Sequence, residues 1–409
     1  MIAQEMKLSE CCVSISDGDH LPPPKAESGV PFVTIANIDS TNHFDFSNTM
    51  FVPQSYYDSV DDKRKAKEGD VLYSVVGSFG IPVLIKEEKP FVFQRHIAIL
   101  RPDKNKIDPR FLYYTMLSRD FYAKADAAAL GAAQRTISLT SLRSIKVKIP
   151  AIQVQQKIAD TLSVYDSLIE NNRRQIKLLE EAAQRLYKEW FVNLRFPGYE
   201  CTKIVDGVPE GWSETQLGKV FSFVRGKSYT SAELSDSDGI LLVNLKNMQA
   251  WGGYKRNAEK RFIGTYKENQ VLSEGDIVMA VTDMTQERRL VGHVALVPKL
   301  PMKAVCSMDL IKVLPADNIP QYYLYSLLRF SGIAEEIAKH ANGTNVLHLR
   351  PETITTMSTL IADANTTIKF DGLVQDLYSK VELLETQITK LSEARDRLLP
   401  KLMSGEIEV

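Results

Sequence analysis

Two long stretches of this chain carry apolar residues at alternating steps of four and three, which places them along one seam of a helix. The first seam runs through Ile158, Leu162, Tyr165, Ile169, Asn172, Ile176, Leu179, Ala183, Leu186 and Trp190, and the second through Phe370, Val374, Leu377, Val381, Leu384, Ile388, Leu391, Arg395, Leu398 and Leu402. A helix of about 35 to 40 residues is roughly 50 to 60 Å long. Because a helix with an exposed apolar stripe is unstable in water, each of these helices is expected to pack against a partner. The simplest partner is the other helix, paired antiparallel.

Each seam contains one polar interruption, Asn172 in the first and Arg395 in the second. A polar residue at such a position can fix the register of two helices at some cost in stability. It can equally lie at a frayed or solvated position. The sequence leaves both interpretations open.

The segments before the two seams repeat one order of elements. Short runs rich in β-branched and aromatic residues are followed by one helical stretch: strands at 31–38, 71–76 and 96–100 with a helix at 111–130, then strands at 240–245, 277–281 and 310–314 with a helix at 322–341. Gly69-Asp70-Val71-Leu72 matches Gly275-Asp276-Ile277-Val278, and Asn37 matches Asn247. These matches and the shared order of elements, followed in each half by a heptad helix, indicate an internal duplication.

The predicted fold class is therefore α+β. Two globular α/β domains are separated by two long antiparallel coiled-coil helices, as a pseudo-twofold tandem repeat. Pro150 and Pro197 mark the breaks around the first helix, because proline cannot continue a helix. The predicted bounds are 1–150 for the first domain, 151–195 for the first long helix, 196–368 for the second domain and 369–409 for the second long helix.

Composition limits the function classes. The chain has 409 residues and a net charge of -1, so no overall basic field marks it as a nucleic-acid binder and any anion site must be local. Its four cysteines include no C-x-x-C spacing, which argues against zinc and disulfides and predicts reduced thiols in a cytoplasmic protein. No run approaches the roughly 20 apolar residues of a membrane span, and the first twelve residues lack the pattern of an export signal.

The familiar catalytic motifs are missing from the sequence. It contains no G-x-x-x-x-G-K-[ST] phosphate loop, no H-E-x-x-H, no G-x-S-x-G and no G-x-G-x-x-G between a strand and a helix. The histidines have no partner at the spacing of metal ligands. We therefore predict no catalytic, cofactor or metal site in this chain.

Basic and amide residues instead gather in loops beside predicted strand ends in both halves. Arg and Lys neutralise phosphates, and Arg, Asn and Gln read base edges through paired hydrogen bonds. Single basic pairs are ordinary surface, but equivalent clusters in two repeats favour binding. The candidate DNA-binding residues are Lys63, Arg64, Lys65, Gly77, Ser78, Gln94, Arg95, His96, Gln134 and Arg135 in the first half, and Arg225, Lys227, Lys246, Asn247, Arg288, Arg289, Thr344, Asn345, His348 and Arg350 in the second.

Three local patterns resemble a known family over essentially the full length. The strand and loop Gly69–Gly80, followed by Gln94–Ile97, resemble a target recognition domain. The passage from Gly131 through Ile149-Pro150 to Leu162 resembles the start of a conserved spacer helix, and the ending Leu398–Ile407 resembles the end of the distal one. The chain is thus similar to specificity (S) subunits of type I restriction-modification systems, the HsdS family.

The resemblance implies a division of labour. Each target recognition domain would read one half of a bipartite, asymmetric sequence in double-stranded DNA, and the helices would fix the gap between the halves. Two methyltransferase (M) subunits, which bring S-adenosylmethionine, and restriction (R) subunits, which use ATP and magnesium, would join it. This chain would then be a non-catalytic subunit without a cofactor of its own. The loop Thr282–Arg289 departs from Val75–Gly80, as two different half-sites would require.

Two other readings stay open. The first is a self-contained DNA-modifying enzyme, which would need a cofactor motif. The second is a structural scaffold whose helices join copies of the chain and whose globular parts bind protein, and the near-neutral charge fits it. Sequence-selective, salt-sensitive DNA binding separates both from the specificity subunit.

Overall fold

The chain forms two compact units. The computed structural model describes residues 3–20, 22–39, 41–47, 49–131 and 135–409. The first unit is Met1–Asn171 with Ile388–Val409, and the second is Asn172–Gln387. Each unit therefore contains a globular part and a stretch of each of the two long helices.

The first unit is built around a buried antiparallel sheet. Its elements are β1 (Ala3–Lys7), α1 (Leu8–Cys11), β2 (Cys12–Asp17), β3 (Val30–Val33), β4 (Met50–Val52), α2 (Gln54–Ser59), β5 (Val71–Ser74), β6 (Pro82–Leu84), β7 (Val92–Phe93), β8 (Ile97–Pro102), α3 (Pro109–Leu117), α4 (Arg119–Ala127), α5 (Leu139–Ser144), β9 (Lys146–Pro150) and the long helix α6 (Ile152–Tyr187). The main sheet has the order β2-β8-β5-β6, a second sheet has the order β4-β3-β7, and β1 pairs with β9. All four residues of β5 are buried, which explains its continuous apolar run.

The second unit repeats this topology. Its elements are β10 (Ile204–Val205), β11 (Val208–Pro209), β12 (Ser213–Gln216), α7 (Leu217–Val220), β13 (Phe221–Arg225), β14 (Leu234–Ser235), β15 (Ile240–Val243), β16 (Lys260–Phe262), β17 (Val271–Leu272), β18 (Ile277–Ala280), β19 (Thr282–Asp283), β20 (Val294–Leu296), β21 (Ala304–Cys306), β22 (Leu310–Pro315), α8 (Gln321–Phe330), α9 (Ile333–Lys339), β23 (Leu347–His348), α10 (Pro351–Thr355), β24 (Ser358–Ile361) and the long helix α11 (Ala364–Ser404). The order β13-β22-β18-β20 corresponds to β2-β8-β5-β6, and β12 pairs with β24 as β1 pairs with β9. The strand order of the main sheet and the pairing of the outer strands are thus the same in the two units.

The matched Gly-Asp turns have the same geometry. Gly69 and Gly275 adopt φ of 88° and 85°, a region that glycine enters without strain. The following aspartates each meet a cation of the neighbouring strand: Asp70 accepts from Nη2 of Arg101 at 2.9 Å, and Asp276 lies 2.6 Å from Nζ of Lys312. These turns set the start of β5 and of β18.

The prediction of a single helix in each half, at 111–130 and at 322–341, is wrong, because the structure has two shorter helices in each place. In the first unit α3 ends at Leu117, and the Ser118 hydroxyl caps α4 by accepting from the amide of Phe121 at 3.2 Å. In the second unit Gly332, with φ of 85°, separates α8 from α9. A capping serine favours the start of a new helix, and a glycine in the left-handed conformation interrupts a helix.

Each globular part is followed in the chain by one long helix. α6 spans 36 residues and continues into a π-helical turn at Lys188–Val192, and α11 spans 41 residues, beginning at Ala364. None of the seam residues is exposed. Ile158 and Leu162 share a core with Leu399 and Leu402 in the first unit.

Within each unit the two helices run antiparallel. In the first, Asp166 meets Arg395 at 2.6 Å, while earlier residues of α6 share the core with later residues of α11. In the second, Nδ2 of Asn172 donates to Oε1 of Gln387 at 3.2 Å, and further along the ring of Tyr187 lies 5.9 Å from that of Phe370. Both polar seam residues therefore have a partner across the seam. The separation of two domains by a coiled coil stays a prediction.

Candidate nucleic-acid interface

Three of the predicted clusters meet where β5 ends in the first unit. The amide of Val75 donates to the carbonyl of His96 at 2.9 Å, and the amide of Gly77 donates to the carbonyl of Arg135 at 3.3 Å. The amide of Ile137 donates back to Val75 at 3.0 Å. The loops that contain Gly77-Ser78, Gln94-Arg95-His96 and Arg135 are therefore held against one strand end. Gln134 lies outside the described residues.

The fourth cluster joins them through the turn after β2. Nη1 of Arg64 donates to the carbonyl of Gly18 at 3.2 Å, and the amide of Arg95 donates to the carbonyl of Asp19 at 2.9 Å. The ammonium of Lys65 lies 4.9 Å from the centre of the Tyr57 ring. Lys63, next in the same turn, is exposed. The loops that carry the described candidates of the first half are thus linked to one another around the end of β5 and the turn after β2.

The second unit repeats this frame with other side chains. The amide of Val281 donates to the backbone carbonyl of Asp309 at 2.9 Å, and the amide of Leu349 donates to the carbonyl of Val281 at 2.8 Å. Lys227 occupies the place of Asp19, because its amide donates to Cys306 at 2.7 Å and its carbonyl accepts from Met308 at 2.8 Å. The backbone bonds of the two frames correspond, whereas an anion in one stands where a cation stands in the other.

One loop of the second unit has no counterpart of similar size in the first. We call residues 284–290 the reading loop. It follows β19, which pairs with β23, and Nε2 of Gln286 donates to the carbonyl of Thr344 at 2.7 Å. The reading loop, which carries Arg288 and Arg289, is thereby joined to the segment that carries Thr344, Asn345 and, in β23, His348.

A buried carboxylate shapes the reading loop. Asp283 is fully buried. Its Oδ2 accepts from the amides of Leu290 at 2.6 Å and Val291 at 3.2 Å, and its Oδ1 accepts from the amide and hydroxyl of Thr285, both at 2.9 Å. Burial alone raises the pKa of the Asp283 carboxyl, but these hydrogen bonds outweigh it and hold the pKa below its usual value. The ionised carboxylate of Asp283 therefore holds the two ends of the reading loop together.

Several candidate arginines already have acidic partners. Nε of Arg135 donates to Asp126 at 2.8 Å. Nη2 of Arg225 lies 2.7 and 2.8 Å from the two oxygens of Glu352, and Arg289 is paired with Glu287. These pairs are largely exposed, so they cost little to exchange for a phosphate. Arg350, at the start of α10, is exposed.

Asn247 is held away from such a surface. It is fully buried, its Oδ1 accepts from the amide of Asn244 at 3.0 Å, and its Nδ2 donates to the carbonyl of Lys255 at 3.1 Å. Asn37 accepts from the amide of Thr34 in the same way in the first unit. The asparagine shared by the repeats therefore closes a turn after β15 and after β3. Lys246, beside it, is exposed.

Sequence reasoning missed the exposed apolar side chains of this surface. Met284 and Met308 are 65% and 53% exposed, and Trp251 is 56% exposed. The amide of Trp251 donates to the carbonyl of Arg289 at 2.9 Å, which places it beside the reading loop. Each of these exposed apolar side chains is available for contact, and apolar groups can contact the thymine methyl. The sequence feature that could have indicated this exposure is Trp251, which stands directly before Gly252 and Gly253 in a loop.

Two other site classes find no support in the part of the chain that is described. No three His, Cys, Asp or Glu side chains there come together as a group that could hold a metal ion. None of the helices there combines the length and the apolar character of a membrane span.

Comparison with known proteins gives one consistent family. Residues 4–181 match the family model described as the type I restriction modification DNA specificity domain. The chain is 26% identical over 326 residues to the type I restriction enzyme MjaIX specificity subunit of Methanocaldococcus jannaschii, covering 75% of this chain and 71% of the relative. It is 22% identical over 403 residues to the HindI specificity subunit of Haemophilus influenzae, covering 84% and 88%.

A solved structure shares the fold. The crystal structure of the type I restriction-modification S subunit from M. genitalium superposes with a TM-score of 0.59 at 17% identity, covering 98% of this chain and 96% of that one. Residues 4–181 thus match the type I restriction modification DNA specificity domain, and over most of its length the chain is similar to type I restriction-modification specificity subunits.

Proposed function

We propose that this chain selects the DNA sequence on which a type I restriction-modification complex acts. The observation that carries the proposal is the repeated frame at the ends of β5 and β18. The same backbone hydrogen bonds hold loops of different length and charge, with Asp19 in one unit and Lys227 in the other. A common frame with different side chains is what a reader of two unlike half-sites needs.

The two half-sites would together form a bipartite, asymmetric target in double-stranded DNA. A helix pair of roughly 50 Å would separate them by about one to one and a half helical turns, at about 34 Å per turn. Phosphate contacts would come from exposed cations such as Lys63 and Arg95. Base contacts would come from the reading loop and from its shorter counterpart at Gly77-Ser78.

The chain would act with partners that supply the chemistry. Two methyltransferase subunits would bring S-adenosylmethionine, and restriction subunits would bring the use of ATP and magnesium. The chain itself would be the non-catalytic member of the complex, a role supported by its similarity to specificity subunits. A specificity subunit needs only to position its partners on the chosen site.

Selection from random DNA tests the proposal. The full chain, co-purified with the methyltransferase subunit from its own genome, is mixed with duplexes of random sequence at two salt concentrations. We expect enrichment of one split motif, with affinity that falls steeply as salt rises. Recovery of no motif at either concentration would favour the scaffold, and modification of DNA by the chain alone would favour a self-contained enzyme.

A further inference from the structure

Two arginines hold the globular part of the second unit against the long helices. Arg256 pairs with Glu382 of α11, and its Nε lies 3.6 Å from Oε2 of Glu385, one turn further. On α8, Nη1 of Arg329 lies 3.8 Å from Oε1 of Glu180 of α6. Each helix of this unit therefore presents carboxylates to an arginine of the globular part.

These contacts are shielded from water. The side chains of Arg256 and Glu382 are 25% and 23% exposed, and that of Arg329 is 14% exposed. The group lines a cavity of about 200 Å³ with Tyr325 and Tyr378. Burial raises the pKa of Glu385, although Arg256 opposes the shift. Because a charge left alone here would be costly, the pairs favour one arrangement of the two surfaces.

Arg256 ends a loop whose other side touches the reading loop. We call residues 248–256 the bridging loop. The amide of Trp251 donates to the carbonyl of Arg289 at 2.9 Å, and that of Gly253 donates to Val294 at 2.9 Å. Gly252 and Gly253, with φ of 97° and 107°, lie over Arg329, since a Cβ on either would come within 3.6 Å of its guanidinium. One short loop thus contacts both the arginines that meet the helices and the backbone of the reading loop.

The equivalent turn of the first unit, residues 38–46, contains no arginine or lysine. This turn is closed by the bridge between Ile38 and Phe44, as the bridging loop is closed by Met248 and Tyr254. The position that corresponds to Arg256 is Phe46, whose ring lies 5.7 Å from that of Phe91 in an aromatic cluster. At the helix position that matches Glu382, Glu170 of α6 pairs with Lys86, which lies outside this turn, at 2.8 Å. Among the described residues, an ion pair from an arginine of this particular turn to a long helix is therefore found in the second unit only.

We propose that Arg256 is a positioning residue for DNA specificity. Through Glu382 and Glu385 it fixes the bridging loop, and with it the reading loop, at one place along α11. The position of the second half-site reader on the helices then decides which gap between half-sites the protein accepts. This inference rests on the proposed function, and it adds that gap selection depends on a contact remote from the DNA-binding surface.

The test compares gaps. The wild-type chain and Arg256→Ala, each with the methyltransferase partner, are titrated with duplexes that carry both selected half-sites at the native gap and at gaps one base pair shorter and longer. We expect the preference of Arg256→Ala for the native gap to fall at least about fivefold relative to wild type, with a smaller loss of affinity at the native gap. Arg185→Ala is the matched control, because Arg185 lies on α6 and its side chain is 80% exposed.

Other outcomes are equally informative. If Arg256→Ala loses affinity equally for all three duplexes, or keeps the wild-type preference, the inference is wrong. If Arg256→Ala does not fold, Glu382→Gln combined with Glu385→Gln removes the charges at nearly constant shape, and it must show the same loss of gap preference. Failure of the wild-type chain to bind the split site at all would instead overturn the proposed function.

Discussion

Nη1 of Arg395 lies 2.6 Å from Oδ1 of Asp166, so the polar interruption of the second seam is one half of an ion pair between α11 and α6. The other oxygen of the same carboxylate accepts from the hydroxyl of Tyr114 on α3 at 2.6 Å. The two charged side chains are only 21% and 20% exposed. One carboxylate therefore fixes both long helices and the globular part of the first unit in register.

Removing Arg395 should destabilise the first unit. Arg395→Met leaves the Asp166 charge buried without its partner, and we expect the free energy of unfolding to fall by about 3 kcal/mol in urea titrations. The control Arg397→Met changes a side chain that is 83% exposed and should cost less than about 0.5 kcal/mol. Adding Asp166→Asn to Arg395→Met should recover part of the loss. Equal effects of the variant and the control would contradict a register-fixing role.

Two glycines are required by close backbone contacts in the loop frame. A Cβ on Gly18 would lie 2.2 Å from the carbonyl oxygen of Phe93, and one on Gly226 would lie 1.9 Å from that of Ser307. We expect Gly18→Ala and Gly226→Ala each to lower the free energy of unfolding by more than about 2 kcal/mol. Gly372→Ala should instead stabilise by about 0.5–1 kcal/mol, because it lies in α11 with open space around its Cβ position. An unchanged free energy of unfolding for Gly226→Ala would show that the backbone around this position can move to accommodate the added Cβ.

The reading loop should depend on the charge of Asp283. Asp283→Asn turns an amide donor toward the amides of Leu290 and Val291, so we expect a loss of about 2–3 kcal/mol in stability and at least about a tenfold loss of affinity for the second half-site. Because the folded-state pKa is lowered, the stabilisation is complete above the unfolded pKa of about 3.9 and is lost as pH falls through the folded value. The free energy of unfolding of the wild type, of Asp283→Asn and of the control Asp317→Asn, whose side chain is exposed, is measured from pH 7 to pH 2. An identical acid profile for Asp283→Asn and wild type would refute this dependence.

Arg95 and Asn247 should separate DNA binding from folding. Arg95 is exposed beside the end of β5, so Arg95→Ala should weaken binding about equally for selected and unselected duplexes, reduce the salt dependence of binding by about one phosphate contact, and leave the melting temperature unchanged. Asn247→Ala removes two buried hydrogen bonds and should cost about 1–3 kcal/mol in unfolding. Calorimetry and DNA titration of both variants give the comparison. The reverse pattern would show that the two roles are assigned wrongly.

The sequence predicted the parts of the fold that depend on local period. The seam from Ile158 to Trp190, the Gly-Asp turns and the central strands follow from spacing and residue type, and the structure contains them. The break at Ser118 was missed because apolar spacing continues across it, and only the capping hydroxyl ends the helix. Helix boundaries decided by a single side chain are weak signals in one sequence.

The site was predictable as a set of loops but not in its contacts. Arg225 and Glu352 are 127 residues apart, and nothing local indicates that they pair. Asn247 matched Asn37 in sequence, yet an amide that closes a turn and an amide that could read adenine look alike until their partners are seen. The bridging loop was missed for the same reason, because its contacts with α11 lie 126 residues away.

The central claim is that two unlike readers select one split DNA sequence. The most direct measurement is to co-express the chain with the methyltransferase gene of its own system in a host that lacks both, and to map methylated bases across the host genome. We predict methylation at a single asymmetric motif of two parts with a fixed gap. An uninterrupted palindrome, or no new methylation, would contradict the account.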